Sequence, residues 1–362
     1  MSEHVHSRIA NRTGIITLGR PKALNSLSLQ MVRDLSAVLL AWRDDAGVDA
    51  VVLGSSSPKA LCAGGDIRFF HDVGSKTPMG GSALLEDFFT EEYALNHLIH
   101  CYPKPYVALM DGVVMGGGMG IAQAGPDCRI RIVTEKTRMA MPEVNIGLFP
   151  DVGGSYFLSR TPGQLGNYLG LTGLTISAAD ALYVGLADWF VPHEQMAPLA
   201  ARIESTPGAE LRAMIAQFAA PYADAAGVSE LEVQRGRIDH HFSAPTVASV
   251  MQSLAADSDA FAQKAHAAMA LRSPLMMSVT RELLRRGAGL DVSQCLRMER
   301  TMVRHNFEHG EALEGVRALV IDKDNAPRWN PPSLDEVTGD MVERFFAPVW
   351  PAAAHPLWHL QG

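Results

Sequence analysis

Basic residues never gather into a run in this 362-residue chain, and the formal net charge is −8 with a pI near 5.9. Nucleic-acid binding needs a basic stripe or patch, so DNA and RNA are poor partners for it. Cysteine is scarce: Cys62, Cys101, Cys128 and Cys295 stand far apart with no CxxC pair, which argues against a zinc ribbon or a disulfide framework. No apolar run approaches the roughly 20 residues of a membrane span. A strand-like pattern is already under way at Ile15 to Leu18, from which we expect no room for a signal sequence. From these absences we expect a cytoplasmic protein with no nucleic-acid or membrane partner. No GxSxG motif occurs: the candidate around Ser56 ends in Pro58 and that around Ser155 in Phe157, so serine hydrolase chemistry is not supported.

What is present is a hydrophobic fraction of 47%, enough for one large domain plus an appendage. Short β-branched runs alternate with longer amphipathic ones. Gly14 to Leu18, Ala50 to Leu53 and Tyr106 to Leu109 read as strands, and Ser28 to Trp42 and Ala83 to His100 as helices. This alternation predicts an α/β fold. Glycines collect where the strands end, at Gly64-Gly65, Gly116 to Gly118 and Gly153-Gly154. Because α/β sheets bind ligands beyond the carboxyl ends of their strands, these loops are the first places to search. From about residue 195 strand signals nearly vanish, and we divide the chain into a core over 1–200 and a helical region over 201–362. A helix is expected to open at Ser273-Pro274 and stop at Gly287. The tail from Pro327 holds many prolines and three tryptophans and reads as an irregular wrapped segment.

Several segments carry possible chemistry, each beside a plainer reading. In Cys62 to Asp66, Asp66 can cap the following helix while the glycine N–H groups point outward, or the segment is only a tight turn. Met115 to Gly120 also leads from a strand into a helix, but Ile121 and Gln123 break the GxGxxG spacing, so a dinucleotide fingerprint is not supported. Two such loops can supply the two converging N–H donors of an oxyanion hole. Met141 to Gly154 places Glu143 and Asp151 among apolar residues, where their pKa values rise unless they are paired. The alternative is a loop whose acids cap backbone amides. Glu92 shares the helical stripe of Leu85, Phe88, Leu95 and Ile99 and should point inward, whereas Glu91 should not. His305 to His309 matches HxxEH, a zinc peptidase signature, but Gly310 follows at once; we favour a solvated helix end and expect no metal site.

Taken together these segments resemble the crotonase (enoyl-CoA hydratase/isomerase) superfamily, and within it the 3-hydroxyisobutyryl-CoA hydrolases. The likeness runs through Leu18 to Leu27, Cys62 to Asp66, Glu91 to Tyr93, Lys104 to Ala108, Met115 to Gly120 and Ala140 to Phe157. It continues through Leu169 to Gly173, Glu314 to Ala318 and Ile321 to Asp324. It implies an α/β core of repeated ββα turns forming a spiral, with a C-terminal helical region. It also implies an acyl-CoA substrate, with coenzyme A as part of that substrate and no separate cofactor. By the same resemblance the Gly65 and Gly117 N–H groups bind the thioester oxygen. Ala63, Gly64, Asp66, Ile67 and Gly118 border the CoA, and Glu92 lines the acyl cavity.

The resemblance also separates reactions. Hydratases of the superfamily usually carry a glutamate just after the second glycine loop and another at the position of Glu143; here the first position is Gly120. Asp151, eight residues beyond Glu143, stands where hydratases generally have a small residue and matches the hydrolases. The expectation is hydrolysis of a short 3-hydroxyacyl-CoA, with Glu143 attacking the carbonyl or activating water and Asp151 contacting the 3-hydroxyl or assisting proton transfer. An enoyl-CoA hydratase or isomerase is the alternative. A monomer or small homo-oligomer is expected.

Overall fold

The computed structural model describes residues 3–77 and 81–361. Among the described residues nine strands alternate with helices: β1 (Val5–Ala10), β2 (Thr13–Leu18), β3 (Ala50–Ser55), β4 (Ala60–Cys62), β5 (Tyr106–Met110), β6 (Val113–Met115), β7 (Arg129–Val133), β8 (Arg138–Ala140) and β9 (Trp189–Phe190). They form a six-stranded sheet in the order β1-β2-β3-β5-β7-β9 and a three-stranded sheet in the order β4-β6-β8. Only the β1–β2 pair is antiparallel.

The pairing reveals a repeat. β3-β4, β5-β6 and β7-β8 each put their first strand in the large sheet and their second in the small one. A helix or helical turn follows each pair: α2 (Ile67–Gly74), α4 (Gly117–Ala122) and a 3₁₀ turn at Glu143–Ile146. These are the ββα turns that the resemblance implies. Each candidate segment, Ala63 to Gly65, Gly116 to Gly118 and Glu143, therefore occupies the same place in the repeat, directly after the second strand.

Contacts divide the chain into two compact units. The first comprises Met1–Gly65, Ala94–Ala140 and Ile176–Glu232, and the second Asp66–Tyr93, Met141–Thr175 and Val233–Gly362. The units interleave along the chain, and no edge falls at the 200/201 boundary drawn from composition. A change of texture marks where strands give way to helices, which is a different thing from which segments pack together.

In the first unit all of Ala50 to Leu53 is buried, as a parallel strand covered on both faces must be. Leu199, Ile203, Leu211 and Ile215, from helices Met196–Ser205 and Leu211–Ala219, pack with Ala50, Val52, Val107, Ile130 and Ile132 of the sheet. Helix α1 (Leu29–Arg43) starts where expected because the Ser28 side chain accepts from the Met31 N–H. Gly14 admits the Trp42 ring, which would lie 2.4 Å from an added Cβ.

In the second unit an aromatic cluster fixes the helices. Phe70 of α2 lies 4.7 and 5.0 Å from Phe88 and Phe89 of α3 (Ala83–His100), and Phe89 lies 5.5 Å from Phe307 of helix Val292–His309. Helix Pro274–Gly287 has its expected Ser273 cap and proline start. Two local features differ from the sequence reading. β1 precedes the first expected strand, its polar, half-exposed residues giving little apolar pattern. The tail also contains the helix Gly339–Phe346, capped by Thr338. Its short length, beside so many prolines, hid its periodicity.

Candidate active site

Within the first unit the two glycine loops approach each other. Gly64 has φ +103°, and a Cβ there would lie 3.2 Å from the Met115 carbonyl oxygen and 3.5 Å from the Gly117 nitrogen. A Cβ on Gly118 would lie 2.2 Å from the Cys62 carbonyl oxygen, so only glycine lets the second loop sit against the first. Among the described residues, neither the Gly65 nor the Gly117 N–H donates to a backbone carbonyl. Gly117 is the first residue of α4, whose opening amides have no intrahelical acceptor. Two amides with unused donors on closely packed loops are what an oxyanion site requires. Asp66 caps α2 as expected, its side chain accepting from the Phe69 N–H.

The second unit gathers the acids. Glu92, Glu143, Asp151 and Glu299 are 2, 6, 4 and 0% exposed. Glu92 is buried on α3 on the stripe its spacing indicated, and Glu91 is half-buried. The Glu143 turn is held from outside: Gly147 closes it with φ +68°, and the Asn306 side-chain amide donates to the Gly147 carbonyl at 2.9 Å. Helix Glu311–Val316 packs so closely that a Cβ on Gly315 would be 2.2 Å from the Ile146 carbonyl. This close approach gives the segment Glu314 to Ala318 (EGVRA) a structural purpose. Asp151 accepts a 2.6 Å hydrogen bond from the Tyr93 hydroxyl. Its backbone carbonyl accepts from the Gly154 N–H at 2.7 Å in a turn where Val152 and Gly153 have φ +53° and +88°.

Sequence reasoning missed Tyr93 as a partner of Asp151, and missed Glu299 altogether. Glu299 accepts from the Gly153 N–H at 2.8 Å, the Ser155 N–H at 2.9 Å and the Ser155 hydroxyl at 2.5 Å. The available signal was its place on the stripe Leu296, Glu299, Val303, a lone acid between two core residues at helical spacing.

Burial sets the electrostatics. It pushes Glu143 well above the usual carboxylate range, with Asp151 the next cause and Glu92 and Glu299 adding to it. Glu92 is raised likewise, by burial first and then by Asp151. Burial also lifts Asp151, but the Tyr93 hydrogen bond opposes this and leaves it at about 6. Burial lifts Glu299 to about 8 against the pull of Ser155 and Gly153. No cation figures among the causes for any of the four. Such a cluster cannot hold four charges at neutral pH; it keeps protons, and the charge rests first on Asp151. Glu92 Oε1 and Glu143 Oε2 are buried and bond to nothing among the described residues. Buried polar atoms are nearly always satisfied, so the unused carboxylate oxygens make Glu92 and Glu143 candidates to meet a bound group.

Other candidates fall away. His305 and His309 place a ring nitrogen 2.8 Å from the Ala347 and Asn330 carbonyls respectively, and their helix ends at Gly310. A cavity of about 790 Å³ in the second unit, lined in part by Asn167, Val247, Arg281 and Val342, includes none of the four acids.

A family model described as enoyl-CoA hydratase/isomerase matches residues 13–346. The chain belongs to the enoyl-CoA hydratase/isomerase family. Among curated members it is 39% identical over 341 residues to the mitochondrial 3-hydroxyisobutyryl-CoA hydrolase of Danio rerio, covering 93% of this chain and 87% of that one. It is 37% identical over 341 residues to the Homo sapiens protein of the same name, covering 92% and 86%. Solved members include a carnitinyl-CoA dehydratase from Mycobacterium thermoresistibile, with TM-score 0.87, 39% identity and coverage of 97% and 98%. An enoyl-CoA hydratase from Rhodobacter sphaeroides 2.4.1 has TM-score 0.87, 38% identity and coverage of 96% and 98%.

The relatives correct one expectation. The curated 3-hydroxyisobutyryl-CoA hydrolases are named as mitochondrial proteins, which overturns the cytoplasmic assignment. That assignment rested on cysteines without a disulfide pattern, on missing apolar runs and on an early strand pattern; the cysteines indicate only a reducing environment, which more than one compartment provides. Among the described residues no helix is long and apolar enough to cross a membrane.

Proposed function

We propose that this protein hydrolyses the thioester of a short 3-hydroxyacyl-CoA, with 3-hydroxyisobutyryl-CoA, an intermediate of valine breakdown, as the first candidate. The observation that carries this reading is the buried Glu143 with an unused oxygen beside a second acid, Asp151, in a chain that has Gly120 where a hydratase keeps its other glutamate. Relatives at up to 39% identity named as 3-hydroxyisobutyryl-CoA hydrolases support it. The chemistry needs no resident cofactor, since coenzyme A arrives with the acyl group.

In this reading Glu143, once deprotonated, either attacks the carbonyl carbon or removes a proton from water that does so. The C–S bond breaks with its electron pair on sulfur, and the thiolate leaves to be protonated. On the covalent route a mixed anhydride at Glu143 is then opened by water; on the other, the acid forms at once. The Gly65 and Gly117 N–H groups are the proposed oxyanion donors, and losing one such donor typically costs about 3 kcal/mol of transition-state stabilisation. Asp151, ionised while Glu143 still holds its proton, is assigned to contact the 3-hydroxyl or relay a proton. Ala63, Gly64, Asp66, Ile67 and Gly118 are assigned to the CoA, and Glu92 to the acyl cavity.

Two similar structures, named as a dehydratase and a hydratase, favour a second reading, addition or removal of water at the acyl chain. Products separate the two. Incubation with 3-hydroxyisobutyryl-CoA in ¹⁸O-water should yield free thiol and labelled 3-hydroxyisobutyrate; formation of the enoyl thioester with CoA still attached would refute hydrolysis.

A further inference from the structure

Asp151 is gripped at two levels. Its carboxylate receives the Tyr93 hydroxyl at 2.6 Å, and the amides that follow it, Gly153 and Ser155, converge on the Glu299 carboxylate at 2.8 and 2.9 Å. The turn between is strained. Val152 is β-branched, yet it sits at φ +53°, a left-handed conformation costing about 1–2 kcal/mol that persists only when surroundings impose it. One frame carries both grips: Arg300, next to Glu299, bonds Thr90 at 2.9 Å and pairs with Glu86, both on α3 one to two turns before Tyr93.

We propose that Tyr93 and Glu299 are positioning residues of the reaction, the phenol fixing the Asp151 carboxylate and Glu299 fixing the strained turn that presents it. The inference rests on the hydrolase reading and deepens it. The groups facing Asp151 are Glu92 and Tyr93 from α3, Glu143 from its turn and Glu299 from helix Val292–His309. Three of these are acids that the Asp151 charge raises, so they hold their protons while burial is what opposes ionisation of Asp151 itself. Tyr93, its phenol raised by burial and by Asp151 itself, stays protonated and donates to the Asp151 carboxylate. Besides the turn's own backbone it is what holds Asp151 down, so its hydroxyl sets which acid of the cluster loses its proton first.

The test is Tyr93→Phe, which keeps the ring in its aromatic contacts and removes one oxygen. Of the two inflections on the acid limb of kcat/KM for 3-hydroxyisobutyryl-CoA, the lower one, set by Asp151 with Glu143 ionising above it, should move up by about one pH unit, a tenfold loss below it, with the plateau kept to within about threefold. A loss of equal size at every pH, with the limb unmoved, would mean packing alone and overturn the role. A ¹³C-carboxyl titration of Asp151, assigned with Asp151→Asn, reads the same shift without turnover. If wild type releases no thiol the hydrolase reading fails, whereas an unmoved Asp151 midpoint in Tyr93→Phe defeats the positioning role even in an active enzyme. For Glu299, Ala substitution should lower kcat about tenfold or more with KM within about twofold, and Gln should recover part of it by keeping one acceptor. Unchanged kcat in a folded Glu299→Ala variant would remove Glu299 from the proposal.

Discussion

Replacing Glu299 by Gln should change how stability depends on pH, by an amount that follows from its burial. The carboxyl is fully buried, and its pKa rises from an ordinary 4.5 to about 8. A carboxylic acid raised in the folded state binds its proton more tightly there than in the unfolded chain. It therefore costs nothing below the unfolded value and destabilises progressively as pH climbs through the folded value. At about 1.4 kcal/mol per pH unit, the cost accumulated between about pH 5 and pH 8 is on the order of 3–4 kcal/mol. Gln has no charge to bury. Near pH 5, where wild-type Glu299 is protonated, the two side chains each offer one carbonyl acceptor, and their stabilities should differ by no more than about one hydrogen bond, roughly 1 kcal/mol. At pH 8 the variant should be the more stable protein. Urea unfolding of both proteins at the two pH values measures this directly. A stability difference that stays the same at pH 5 and pH 8 would refute the argument, because Glu299 would then already be ionised at pH 5.

Glu143→Gln should lower thiol release by about a thousandfold or more without loss of stability at neutral pH, because Oε2 bonds to nothing and the raised carboxyl is a burden when ionised; steady-state kinetics and a melting curve check both halves. Asp151→Asn removes the second-largest influence raising Glu143, so the carboxyl midpoint of Glu143 should move down in a ¹³C titration even as turnover falls. Gly118→Ala would place a Cβ 2.2 Å from the Cys62 carbonyl oxygen and should destabilise the protein by about 2 kcal/mol or more, read by urea unfolding, or separate the glycine loops and weaken CoA-ester binding.

The strands and helices with clear periodicity were legible in the sequence. Ala83 to His100 and Pro274 to Gly287 emerge with the expected limits because a continuous apolar stripe or a Ser-Pro cap marks them. The inward face of Glu92 was readable for the same reason. Local pattern could not show that the helix carrying Glu299, 148 positions after Asp151, would return to cap the turn after it. Nor could it show that Gly315 allows the EGVRA helix to brace Glu143, since a glycine's purpose lies in the neighbour it admits. Pairing at long range, Tyr93 to Asp151 and Arg300 to Glu86, is decided by packing, and the sequence offers only the residue types.

The most direct measurement is parallel turnover of 3-hydroxyisobutyryl-CoA and crotonyl-CoA by wild type and Glu143→Gln, following free thiol and enoyl absorbance together. The account predicts rapid thiol release from the hydroxyacyl ester, none in the variant, and little loss of enoyl absorbance from crotonyl-CoA. Consumption of crotonyl-CoA absorbance without thiol release would contradict it, and would show that a chain with Gly120 in place of the second glutamate still adds water to an alkene.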